Sequence, residues 1–156
     1  MNKQILKQIG FGLGVVILQV IFFRHLKVFN IQPDCVLIFL LWIITKQNRT
    51  SAIITAAVLG FTQDAFLDIW GLNMFAKTLL VFIAYNPIVK NMNTRVQLPR
   101  TLSIVLLASL AHNLILLTLS SLVANYTAEL LFWRKWIGNS MYTTVVAGVV
   151  QLFRTK

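Results

Sequence analysis

Six apolar segments alternate with short polar ones along the chain, at roughly 5–23, 33–45, 52–69, 71–89, 101–124 and 135–153. Five of them run 18 to 24 residues. At about 1.5 Å of helix per residue, each is long enough to cross a bilayer core of about 30 Å. The second has only 13 residues, between Pro33 and Thr45, and is too short to cross unaided. It either borrows residues from Val28 onward or sits where the bilayer thins. The sixth is the most polar, with Asn139, Ser140, Thr143, Thr144 and Gln151, which predicts that it packs against protein on more than one face. The pattern therefore predicts an all-α integral membrane protein. It has one transmembrane domain over residues 1–156, six helices, short loops, and no internal repeat or linker.

Composition sharpens this picture. The chain is 58% hydrophobic with a mean hydropathy of +0.77, too apolar for a soluble domain of its size. The net charge of +10 comes from basic residues flanking the apolar segments. No basic run interleaved with aromatics occurs, so nucleic acid is excluded as a partner and the lipid bilayer is the expected one. A lone cysteine, Cys35, excludes an internal disulfide. Lys3 and Lys7 precede the first apolar stretch, which ends in QVIFFRHLK without a small-residue cleavage site, so it reads as a retained first span. Six spans with the N-terminus inside put nine basic residues in cytoplasmic segments: Lys3, Lys7, Lys46, Arg49, Lys90, Arg95, Arg100, Arg154 and Lys156. Four lie outside (Arg24, Lys27, Arg134 and Lys135), and Lys77 falls within a span. This bias predicts that both termini are cytoplasmic.

With that orientation the four acids, Asp34, Asp64, Asp68 and Glu129, gather at the outer side with Trp70, Trp133 and Trp136. Asp34, Asp68, Trp70 and Asn73 become candidates for contact with a partner at the outer face. Asp64 and Asp68 are one helical turn apart and share a face. The short link DIWGLN makes helices three and four a tight hairpin, bringing Asp64 and Lys77 to similar depth. A lone charge there costs about 2.5–3.5 kcal/mol even on the mild insertion scale. The first reading is therefore an internal Asp64–Lys77 ion pair; a ligand or partner site and ion translocation are the others. Asp34 follows Pro33 at the start of the second helix, where a carboxylate caps the helix and meets its positive dipole end. His112 and Asn113, near the middle of the fifth segment, predict interhelical hydrogen bonds. A metal site is not expected, because the other histidine is the distant His25 and no cysteine cluster exists. Small residues one turn apart, Gly10/Gly14, Ala56/Gly60 and Ser140/Thr144/Gly148, predict close helix contacts.

Enzymatic motifs are missing. GNSM at 138–141 lacks the later histidine that an intramembrane serine protease places on a following helix, and neither the GxGD nor the GNxxDR pattern of membrane aspartyl peptidases occurs. No phosphate-cradling loop is present, and no cofactor is expected.

The stretch QPDCVLIFLLWIITKQNRTSAIITAAVLGFTQDAFLDIWGLN, from Gln32 to Asn73, resembles the MreD family of bacterial rod shape-determining membrane proteins. The resemblance is carried by Pro33 and Asp34 opening a short apolar helix, the basic turn with Lys46 and Arg49, Gly60 and Asp64 in a G-x-x-x-D, and Gly71 with Asn73. Lys77 and Asp68 belong to no family pattern. The resemblance implies a non-enzymatic scaffold of the cell-elongation, peptidoglycan-synthesising machinery (the elongasome) in the inner membrane. It implies MreC as the direct partner, and MreB, RodA and its transpeptidase partner as indirect ones. It also implies a fold like the substrate-binding subunits of energy-coupling-factor transporters, so a vitamin-type binding subunit is the alternative function.

Overall fold

The computed structural model describes residues 3–23, 31–68, 71–92, 98–124 and 129–154. All the regular elements there are helices: α1 (Lys3–Leu18), continued by a π-helical stretch (Gln19–Phe23), α2 (Cys35–Ile44), α3 (Arg49–Leu67), α4 (Leu72–Met92), α5 (Leu98–Ala124) and α6 (Glu129–Arg154). Three segments are long and apolar enough to cross a membrane: Arg49–Leu67, Leu72–Lys90 and Pro99–Leu122. Ile5–Ile21 and Cys35–Ile44 are shorter apolar helices. α6 is as long as α5, but its charges and its run of hydroxyl and amide residues keep it outside that class.

α2 sits at the centre. Val36, Leu37, Leu40, Ile43 and Ile44 are almost completely buried, and the core closes over them from α1 (Val16), α3 (Ala52, Ala56, Leu59), α4 (Leu80, Val81, Ile88), α5 (Val105, Ala108) and α6 (Ala147). This explains why its apolar run has no polar face: a helix surrounded by others is hydrophobic all round. The outward surface of the surrounding helices carries Phe11, Ile54, Phe61, Phe75, Ile83, Leu107, Met141 and Val145, the side chains expected to meet lipid.

The short second segment resolves as a helix that begins inside the bundle. Its first backbone N–H groups would be orphans in an apolar interior. Each of those recorded finds a side chain: Gln32 N donates to Asn139 Oδ1 (3.1 Å), Asp34 N to Thr143 Oγ1 (3.0 Å), Val36 N to Gln19 Oε1 (2.9 Å) and Leu37 N to Asp34 Oδ1 (2.9 Å). The polarity of the sixth segment is thereby explained, since Asn139 and Thr143 cap α2 from α6. The π-helical stretch of α1 begins at Gln19, the residue that serves Val36.

Two expectations about small residues part ways. Gly60 lies where a Cβ would stand 2.5 Å from Met74 Cα and 2.9 Å from Met74 N, so glycine lets α3 press directly on the backbone of α4. Gly10 and Gly14, by contrast, face open space with nothing within 4 Å, and Gly12 is the residue of α1 pressed against Leu59 and Phe39. Among the described residues the Gly10/Gly14 pair therefore makes no close helix contact: the burial of α1 runs through Gly12, Val16 and Gln19, and the pair falls on the other side.

Candidate functional site

The buried polar groups collect around the starts of α2 and α4. α3 ends at Asp68, whose left-handed φ of 57° terminates the helix, and Gly71, with φ +85°, turns the chain into α4. Because Gly60 admits the start of α4, Asp64, one turn later on the same face, reaches its first N–H groups. Its Oδ1 accepts from Asn73 N and Asn73 Nδ2 (both 2.9 Å), and its Oδ2 from Met74 N (2.8 Å). A carboxylate there satisfies orphan donors and meets the positive end of the α4 dipole. The G-x-x-x-D spacing thus has a mechanical meaning: the glycine sets the approach and the aspartate caps the neighbouring helix.

This overturns the expected Asp64–Lys77 pair. Lys77, fully buried, places its ammonium 2.7 Å from Asp34 Oδ2. Similar depth does not fix a partner when backbone N–H groups compete for the carboxylate, and those of α4 are nearer to Asp64 and aligned with its lone pairs. Asp34 keeps its expected capping role through Leu37 N and adds the ion pair, one oxygen for each.

His112 completes the cluster from α5. Its Nε2 is 3.3 Å from Asp34 Oδ2 and 3.4 Å from Lys77 Nζ. It donates to the carboxylate in one tautomer and accepts from the ammonium in the other. Its Nδ1 has no protein partner. Asn73 bridges the two acid sites, with Nδ2 on Asp64 and Oδ1 3.5 Å from Lys77 Nζ. Below them Asn113 Nδ2 donates to Ser140 Oγ on α6 (3.0 Å) and contacts Ser109 Oγ (3.3 Å), so His112 and Asn113 both bond across helices. α2, α4, α5 and α6 are thereby tied together at one level by polar contacts that sequence reasoning had assigned to separate places.

The candidates for outer-face contact are corrected in part. Asn73 is buried, with 4% exposure, and the Asp34 side chain has 14%; both are occupied internally, so neither offers a surface. Asp68 is exposed, and Trp70 lies outside the described residues. Trp133 and Trp136 lie against each other on α6 in a tilted arrangement, with ring centroids 5.4 Å apart, and Trp136 Nε1 donates to Leu110 O (2.9 Å). Pro33 is buried beside Asp34. Among the described residues no group of three or more His, Cys, Asp or Glu side chains is placed to hold a metal ion.

Sequence reasoning missed Gln19, Asn139 and Thr143 as partners of the α2 start. Their only signal was polarity in otherwise apolar segments.

No curated protein and no solved structure matches the chain. A family model described as rod shape-determining protein MreD matches residues 3–155.

Proposed function

The chain belongs to the MreD family of rod shape-determining membrane proteins, and from that premise we propose that it is a non-enzymatic scaffold of the cell-elongation and peptidoglycan-synthesis machinery. It sits in the cytoplasmic membrane with both termini inside. Its direct partner is an MreC-like protein, through which it joins MreB, RodA and the associated transpeptidase. What supports a scaffold is the mutual saturation of its buried charges. Asp34, Lys77, Asp64 and Asn73 bond to one another and to helix starts. Groups tied in this way hold helices in register.

The vitamin-binding alternative, on a fold resembling transporter substrate-binding subunits, needs polar groups converging on a ligand. Asp64, Asp68, Trp70, Asn73 and Lys77 are the groups that could supply them; Asp64, Asn73 and Lys77 already have partners inside the protein, Asp68 is exposed, and Trp70 lies outside the described residues.

Co-purification from membranes tests the scaffold. The tagged full-length chain is expected to retain an MreC-like protein in mild detergent, and vitamins are expected to leave its thermal transition unmoved. Failure to retain MreC, together with stabilisation by a vitamin, would replace the scaffold with the alternative.

A further inference from the structure

The helices end at different heights on the side of the α2–α3 turn. Tyr85 Oη donates to Gln47 O (2.8 Å), and Arg49 Nη2 donates to Phe82 O (3.2 Å). The turn at residues 45–48 is therefore held at the level of Phe82–Tyr85. α4 continues past it to Met92, seven residues beyond Tyr85, or about 10 Å. The Lys77–His112 contact registers α5 as well. From His112 back to Leu98 is about 21 Å, against about 22 Å from Lys77 to Met92, so α4 and α5 reach a common end. α2, whose Asp34 meets Lys77, ends only about 14 Å from its own start. Among the described residues the bundle thus has a recess on this side, floored by the α2–α3 turn and walled by α4 and α5.

The floor is cationic and lies at or below the expected edge of the hydrocarbon. The candidate span Arg49–Leu67 begins at the floor and Leu72–Lys90 ends about 8–12 Å beyond Tyr85 and Phe82, so the boundary on this side falls between Arg49 and Lys90. Lys46 is exposed on the floor. The Arg49 guanidinium lies 4.4 Å over the centroid of Phe82, whose ring is 53% exposed toward the lipid side. Among the described residues, Arg49 Nε and both polar atoms of the Gln47 side-chain amide are sheltered and make no hydrogen bond. The α3 start adds N–H groups with no side-chain cap on them from Asn48. None of the four acids falls in this turn, in α4, or in α5.

Resting on the reading that the chain spans a membrane, we propose that the recess seats the headgroup of an anionic phospholipid. Its phosphate meets Arg49 and Lys46, and its acyl chains lie along Phe82. A charge at or below that edge is satisfied by drawing a headgroup inward and thinning the leaflet locally. An anionic headgroup is favoured over a zwitterionic one because no carboxylate stands nearby to answer a choline or ethanolamine.

Native mass spectrometry of the purified full-length chain tests this, with phosphatidylglycerol and phosphatidylcholine offered at equal concentration. The wild type is expected to retain phosphatidylglycerol preferentially. At about fivefold per basic residue near an anionic surface, R49Q lowers the preference about fivefold and K46Q/R49Q about twenty-fivefold, with helical circular dichroism unchanged. R134Q, at the start of α6 on the opposite side, leaves it intact. Equal retention of the two lipids by the wild type overturns the proposal on its own, even if the double variant does not accumulate. So does a preference that survives K46Q/R49Q, one lost equally in R134Q, or one abolished by millimolar inorganic phosphate, which would mark a site for a free anion. Capture of MreC is read separately, so a scaffold without a lipid site and a lipid site without a scaffold give different outcomes.

Discussion

Replacing Asp34 with Asn and Lys77 with Met, singly and together, tests the centre of the bundle. Asn at 34 preserves the shape and can still accept from Leu37 N, so the change removes the charge and little else. With the carboxylate neutralised, the Lys77 ammonium keeps only Asn73 Oδ1 at 3.5 Å and His112 Nε2 at 3.4 Å, both long and both neutral. With Lys77 removed, Asp34 is left without its counter-ion in a site where its side chain is 14% exposed. Orphaning one member of a buried pair costs about 3–5 kcal/mol. The double variant D34N/K77M contains no orphan and should fall short of the summed single losses by about 2 kcal/mol or more, near the upper range for residues in contact. A parallel cycle on Asp64 and Lys77, linked only through Asn73, should couple by about 1 kcal/mol or less, and by less than the Asp34/Lys77 cycle. Reversible unfolding of the full chain in mixed micelles, followed by helicity, gives all the terms. Additivity in the Asp34/Lys77 cycle, or stronger coupling in the Asp64/Lys77 cycle, would refute the assignment of Lys77 to Asp34.

Glycine substitutions should separate the two kinds of small residue. G60A pushes a Cβ into the backbone of Met74 and should cost about 1–3 kcal/mol, whereas G10A and G14A, with open space before them, should be neutral or stabilising by up to about 1 kcal/mol; thermal shifts of the purified variants read both. Thr143→Val keeps the volume but withdraws the acceptor from Asp34 N, and should cost about 1–3 kcal/mol in the same assay; an unchanged transition would mean that the α2 start finds another acceptor. Reporter fusions after Gln97 and after Lys156 should both give cytoplasmic signals, and a periplasmic signal at either would invert the proposed orientation.

Most of the architecture was legible because apolar run length is a strong signal in a membrane protein. All six runs became helices, and α5 and α6 outran their apolar segments at the N-terminal ends because a helix continues into polar residues once it leaves the lipid. Side-chain pairing was less legible. Depth can be counted along a helix, but the direction a residue faces relative to a third helix cannot. Asp64 and Lys77 were therefore matched by height, while the true partner of Lys77 came from α2, whose start was taken to lie at the surface. Asp34 looked like an ordinary cap because nothing in its neighbourhood reveals that α2 begins inside the bundle. That fact rests on Asn139 and Thr143, more than a hundred residues away.

That separation bears on how the protein is made. As the chain leaves the ribosome, α2 enters the insertion machinery with ten apolar residues and an unsatisfied N-terminal turn. Gln19 is already available, but Asn139 and Thr143 have not yet been synthesised. Until α6 arrives, the backbone N–H groups of Gln32 and Asp34 must keep contact with water or headgroups, so α2 has no settled position in the bilayer. Its last two capping hydrogen bonds therefore form only once α6 is in place. A nascent chain truncated before α6 would hold five helices of correct sequence and still present an open polar backbone within the membrane, a feature that membrane quality-control proteases are suited to find.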